Sequence, residues 1–185
     1  HALMSCVNNA DEIGRRTSDG VAILMQALIE SGIAMLIHGQ SHSASGAEHH
    51  LSHYWEMDFI RTGRRQLLHG AKVGAACAII AETYKRIAEE DLLRAAANAA
   101  SPSHADAALE AAVTRWPAVR DLIAELPDAQ TIRSLLRAVH GPTDIAELGI
   151  APSLRDRALR EADNVRPGRT TLLRVYNMAE RARTN

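Results

Sequence analysis

Gly46-Ala47-Glu48-His49-His50-Leu51-Ser52-His53-Tyr54-Trp55-Glu56, followed by Leu67-Leu68-His69-Gly70, is the stretch from which the rest of this 185-residue chain can be read. Side chains at i and i+4 of a helix share one face, with Cβ atoms roughly 5–6 Å apart, so a helical segment points His49 and His53 the same way. His69 stands at the head of a second apolar segment. Two neighbouring helices could then close His49 and His69 on one metal ion, as metal sites in helical bundles do. A histidine alone on a helix face is more often solvated or hydrogen-bonded than a ligand. Here six of the nine histidines (His38, His42, His49, His50, His53 and His69) crowd between positions 38 and 69, and the crowding argues for a functional cluster.

Aromatic residues make up only 3% of the chain, while the strong helix formers alanine and leucine abound. That balance predicts an all-α fold. The formal charge of −1 leaves no global field to attract nucleic acid or a membrane surface. Read as consecutive residues, no apolar run reaches the ~18 positions of a membrane span, the nearest being Ile33 to Ile37, and no signal peptide precedes it. Neither nucleic acid nor membrane is therefore expected as a partner. Cys6 and Cys77 make no pattern, which fits a reducing cytosol and small core residues better than nucleophiles.

Along the chain, residues 1–17 read as a frayed start. Ser18-Asp19 can cap a helix running through Val21, Leu24, Met25, Leu28 and Ile29 to about Ile37. Gly32 in its middle marks either a close approach by another backbone or a tolerated glycine. Gly39 to Gly46 is a small polar loop without apolar anchors, a kind that more often carries function than packing. Ser45 stands at the cap position of the histidine helix, with Glu48 where a capping box requires it, and the helix should end near Asp58. Arg61 to Arg65 is a basic connector, either solvated or in contact with substrate phosphate. The segment from Val73 to Ile87 is apolar nearly all round and belongs at the centre of a bundle. Ser101-Pro102 restarts a helix through Trp116, and Pro117 breaks or kinks it before Val119 to Leu126. Pro127-Asp128 opens another helix to Val139, Thr143 to Leu148 is a short turn, and Pro152–Val165 and Gly168–Ala182 complete a compact bundle of eight or nine helices.

Three blocks together resemble one family: Ser31-Gly32-Ile33-Ala34-Met35; Ala44-Ser45-Gly46-Ala47-Glu48-His49-His50-Leu51-Ser52-His53-Tyr54-Trp55-Glu56; and Leu68-His69-Gly70-Ala71-Lys72-Val73-Gly74. In order and spacing they look like the C-terminal domain of sn-glycerol-1-phosphate dehydrogenases of the bacterial type. That family lies within the wider class of dehydroquinate synthase, glycerol dehydrogenase and iron-containing alcohol dehydrogenases. The resemblance implies a dehydroquinate synthase-like helical domain spanning 1–185 that holds a divalent metal (zinc, nickel or iron) and the substrate. An N-terminal Rossmann-like domain would bind NAD(P), and the metal would polarise the carbonyl of dihydroxyacetone phosphate while nicotinamide delivers hydride, giving glycerol 1-phosphate. It also suggests a homodimer.

Carried over by position, His49 and His69 match the two histidine ligands, with His50 a rival, and His53 matches the residue near substrate that relays a proton. Ser45, Lys72 and His42 fall where substrate contacts are expected. This chain departs from the pattern in three places. The family's third ligand, an aspartate in a Gly-Asp motif, has no counterpart, since Asp11 and Asp19 lie in the wrong context. No Gly-x-Gly-x-x-Gly and no alternating strand–helix pattern is present. Gln40, His42 and Ser43 replace the Asn, Arg and Pro common in the loop, which leaves phosphate recognition there in doubt. The expectation is a fragment that alone neither binds NAD nor turns over. The alternatives are a glycerol dehydrogenase or other carbonyl reductase of the same class, and a non-catalytic helical interaction module.

Overall fold

A computed structural model of the chain describes residues 1–41, 44–99 and 107–184. The described residues form eleven α-helices and no strand: α1 Ala2–Asn8, α2 Ala10–Arg15, α3 Ser18–His38, α4 Ala47–Arg61, α5 His69–Glu89, α6 Leu92–Ala99, α7 Ala107–Thr114, α8 Trp116–Ala124, α9 Ala129–Ala138, α10 Pro152–Glu161 and α11 Leu172–Thr184. The all-α expectation holds. The count exceeds eight or nine because residues 1–17 are not frayed but form α1 and α2, both packed on α3. Gly14 lets α2 come so close to the end of α9 that an added Cβ would lie 2.1 Å from the carbonyl oxygen of Ala138. The restart at Ser101-Pro102 lies outside the described residues.

Local chemistry explains most boundaries. Thr17, rather than Ser18 or Asp19, caps α3, its hydroxyl accepting from the backbone N–H of Gly20 at 3.1 Å. Gly39 closes the helix in the left-handed region (φ 72°), where glycine is preferred. Pro117 occupies the first turn of α8, where its missing N–H does no harm. The Asp128 carboxylate caps α9 by accepting from the Thr131 N–H at 2.6 Å. The final two helices are shorter than their apolar pattern suggested. α10 gives way to a 3-10 turn at Ala162–Asn164, and a loop separates that turn from α11.

The core is assembled around α5, which packs against α4, α6, α8 and α9. Ala47, Leu51, Trp55 and Phe59 repeat every fourth residue along α4 and are buried with Ala75, Ala76 and Ile80 of α5 and with Leu148, Ile150, Leu154 and Leu173. A second cluster joins Ile87 and Ala88 of α5 to Leu93, Leu109, Trp116, Ile123, Val175 and Ala179. Asp163 in the 3-10 turn is fully buried. It receives Arg181 Nη2 at 2.7 Å and Asn177 Nδ2 at 2.8 Å, and its carbonyl accepts from Arg174 Nη1 at 3.1 Å. Three side chains of α11 thus tie the turn down.

α3 is the exception to this packing. Val21, Met25, Leu28, Ile29, Ile33, Leu36 and Ile37 are all exposed. Nothing approaches Gly32, so of its two readings the tolerated glycine holds among the described residues. Taken whole, this helix is long and apolar enough to cross a membrane, contrary to the reading of consecutive residues. The polar Gln26 and Glu30, hydrogen-bonded at 2.9 Å, interrupt the run without changing its average character.

Asp163→Ala should destabilise the fold by about 3–5 kcal/mol, because it leaves Arg181 and Asn177 without their buried partner; urea unfolding followed by circular dichroism measures this. The isolated chain should bind a hydrophobic dye strongly through α3, and Leu28→Glu with Ile33→Glu should sharply reduce that fluorescence without loss of helix.

Candidate metal and substrate site

The buried stripe of α4 decides where its histidines go. With Ala47, Leu51, Trp55 and Phe59 turned into the core, His49, His53 and Glu56 share the flank that faces the start of α5. His69 is the first residue of that helix. The ring centroids of His49 and His69 lie 5.3 Å apart, and those of His53 and His69 lie 5.6 Å apart. His69 of α5 is therefore a neighbour of both His49 and His53 of α4.

Their hydrogen bonds set the tautomers. His49 Nδ1 lies 2.8 Å from Glu48 Oε1, so the proton sits on Nδ1 and Nε2 carries a free lone pair. The same Glu48 oxygen accepts the backbone N–H of Gly46 at 2.7 Å. Gly46, not Ser45, is the N-cap of α4, so only the glutamate half of a capping box forms. Burial works to raise the Glu48 pKa, but the hydrogen bonds from His49 and from the Gly46 N–H outweigh it and hold the carboxyl below its ordinary value. His53 Nε2 faces Arg166 Nη2 at 3.2 Å. Arginine only donates, so this nitrogen accepts and the proton is on Nδ1, 3.4 Å from Glu56 Oε2. Burial and the Arg166 charge push the His53 pKa down, against the pull of Glu56.

His50 sits apart from the other histidines. It is fully buried on the core side of α4, and neither ring nitrogen has a hydrogen-bond partner. Burial, with the charges of Arg166 and Arg169, lowers its pKa. Lys72 is 1% exposed and its Nζ lies 3.4 Å from Glu56 Oε2, so Glu56 stands between Lys72 and His53. Ser45 enters through its backbone carbonyl, which accepts from Arg169 Nη1 at 3.4 Å. His42 lies outside the described residues. In the basic connector, Arg61 pairs with Asp58 and Arg64 stacks on Phe59 while donating to the carbonyl of Gly149, both at the far end of α4 from the histidines.

Sequence reasoning missed Glu56, which links His53 to Lys72, and it missed Arg166 and Arg169. The arginines flank the Pro-Gly of Arg166-Pro167-Gly168-Arg169, a legible turn signal. Nothing local says that this turn reaches back to α4. A cavity of roughly 580 Å³ opens elsewhere, lined by residues of α5, α9, α10 and α11 with arginines and carboxylates mixed, and no histidine takes part in it.

For a metal, the donors suit in kind and fall short in number. His49 offers a bare Nε2 with a carboxylate behind it, the usual arrangement for a ligating histidine. Yet no group of three His, Cys, Asp or Glu side chains is placed to hold an ion among the described residues. Catalytic zinc sites commonly use three protein ligands.

Comparison with known proteins extends the likeness seen in the histidine motifs to nearly the whole chain. It is 44% identical over 176 residues to a protein of Geobacillus stearothermophilus named glycerol-1-phosphate dehydrogenase (NAD(P)+), covering 95% of this chain and 43% of that relative. A protein of the same name from Bacillus subtilis (strain 168) is 36% identical, covering 95% of this chain and 41% of the relative. One from Aeropyrum pernix is 27% identical, covering 89% and 34%. The chain is thus related to glycerol-1-phosphate dehydrogenases and spans less than half the length of these relatives. No family model and no solved structure matches it.

Because His50 is buried without partners, His50→Leu should be neutral or stabilising by about 1 kcal/mol in thermal unfolding. Its folded-state pKa lies below the 6.5 of an unfolded histidine, so the unfolded chain binds the proton first. The associated stability is complete above pH 6.5 and is lost as pH falls from there toward the folded pKa, and His50→Leu should flatten that slope.

Proposed function

We propose that this chain is the helical metal- and substrate-binding half of an NAD(P)-dependent glycerol-1-phosphate dehydrogenase, acting on dihydroxyacetone phosphate in the cytoplasm. The observation that carries the reading is the approach of His49 and His69 from separate helices, with ring centroids 5.3 Å apart. The relatives' name and the match across 95% of this chain support the choice of reaction. A divalent ion held by His49, His69 and a third ligand outside the described residues would act as a Lewis acid toward the carbonyl oxygen. Zinc, nickel and iron all accept such donors. NAD(P) would be held by a Rossmann-like domain of the kind the resemblance implies.

The chain's own residues have separable tasks. Glu48 fixes the tautomer and ring plane of His49. Reduction of a ketone needs hydride at carbon and a proton at oxygen. His53, neighbour of His69, is the group for that proton: with Nδ1–H held toward Glu56, its Nε2 would take the hydroxyl proton in the alcohol-oxidising direction, and the imidazolium so formed would return it to oxygen in reduction. Glu56 keeps the Nδ1 proton of His53 directed toward itself and is steadied by the buried ammonium of Lys72. Burial tends to raise the Glu56 carboxyl, but Lys72 and His53 outweigh that, and it stays ionised for this work.

Zinc titration of the isolated chain by calorimetry tests the metal. Weak binding of one ion is expected, lost in His49→Ala and in His69→Ala, weakened about 10–100-fold in Glu48→Gln and unchanged in His50→Leu. Binding that survives both alanine variants would overturn the assignment. With dihydroxyacetone phosphate and NADH or NADPH the chain alone should show no turnover.

A further inference from the structure

We propose that Arg166 and Arg169 form an anchor for the phosphate monoester of the substrate. Both come from the single loop between the 3-10 turn and α11, and both reach back to the loop and helix that carry the histidines. Arg166 Nη2 lies 3.2 Å from His53 Nε2. Arg169 Nη2 donates to Ser41 Oγ at 2.6 Å, and its Nη1 to the carbonyl of Ser45 at 3.4 Å. The arginines sit half-buried beside the candidate proton carrier, at the end of the site where a substrate's non-reacting group would lie.

Several of the chain's arginines are balanced by carboxylates. Arg61 and Arg157 pair with Asp58, Arg155 with Asp156, and Arg181 with Asp163. Arg166 and Arg169 have no carboxylate partner among the described residues. They hold only neutral acceptors: an imidazole, a hydroxyl and a carbonyl. A half-buried pair of guanidinium groups without a counter-ion suits a dianion presenting several oxygens.

The loop is also held in place beforehand. Asp163 stands three residues before Arg166 and is fixed to α11 by Arg181 and Asn177. Positioning the arginines therefore needs little ordering when the anion arrives. A phosphate oxygen is a stronger acceptor for Arg166 than neutral imidazole, so anion binding should draw the guanidinium off His53 Nε2 and free that nitrogen toward the substrate. The anchor rests on the proposed function insofar as the anion is the substrate's phosphate. It favours dihydroxyacetone phosphate over unphosphorylated dihydroxyacetone.

The test uses the metal-free chain in a zwitterionic buffer, titrated with inorganic phosphate and with sn-glycerol 1-phosphate while histidine ring signals are followed by NMR. Saturable binding of both is expected, with movement of the His53 ring signals. Each of Arg166→Gln and Arg169→Gln should weaken binding about tenfold, in line with loss of a charge-assisted hydrogen bond. The double variant should abolish it, Arg166→Lys should retain part of it, and Arg61→Gln should leave it unchanged. Circular dichroism establishes that each variant is folded. No saturation, or equal binding by the folded double variant, would overturn the anchor and leave the zinc result at His49 and His69 untouched. Binding of inorganic phosphate with none of glycerol 1-phosphate would leave an anion site and remove its role with this substrate.

Discussion

The packing of α4 against α5 is the contact on which the rest depends. It is an apolar contact: Leu51, Trp55 and Phe59 from one helix close on Ala75, Ala76 and Ile80 from the other. The small residues of α5 let the helices come together, and the large ones of α4 fill the space between them. Because the stripe on α4 repeats every fourth residue, its burial sets the rotation of the helix about its own axis. That rotation turns His49, His53 and Glu56 toward His69 and sends His50 into the interior. The chemistry at the helix ends is thus oriented by side chains that take no part in it.

A second constraint acts from the other end of the chain. Asp163 is a fully buried carboxylate, and such a group persists only when its oxygens are met by donors. Arg181 and Asn177 of α11 meet them. The turn between α10 and α11 is fixed as a result, and with it the loop that carries Arg166 and Arg169 to the histidine face of α4. Two ionic arrangements of opposite character therefore lie close together. The first is balanced, buried and structural. The other holds positive charge with no carboxylate partner among the described residues.

The face of α3 belongs to a different part of the account. Its exposed leucines, isoleucines and methionines form a long apolar surface. The chain covers 43% of its Geobacillus stearothermophilus relative, so most of such a protein's length lies outside what is described here. The metal donors present a parallel shortage: His49 and His69 lie side by side, and among the described residues no group of three His, Cys, Asp or Glu side chains is placed to hold an ion.

Residue order alone determined the helical class, the centrality of α5 and the break at Pro127-Asp128. These follow from local propensity, from the spacing of apolar side chains and from motifs whose residues lie within one or two turns. Tertiary structure decided what depends on distant segments. It turned His50 inward, and across more than a hundred positions it brought Arg166 to His53 and Arg169 to Ser41 and Ser45. It also left α3 uncovered, which an apolar pattern cannot reveal, because the same pattern describes a helix seeking a partner and one that has found it. Periodicity says which side of a helix is apolar; only the packing of helices far apart in the chain says which polar groups meet.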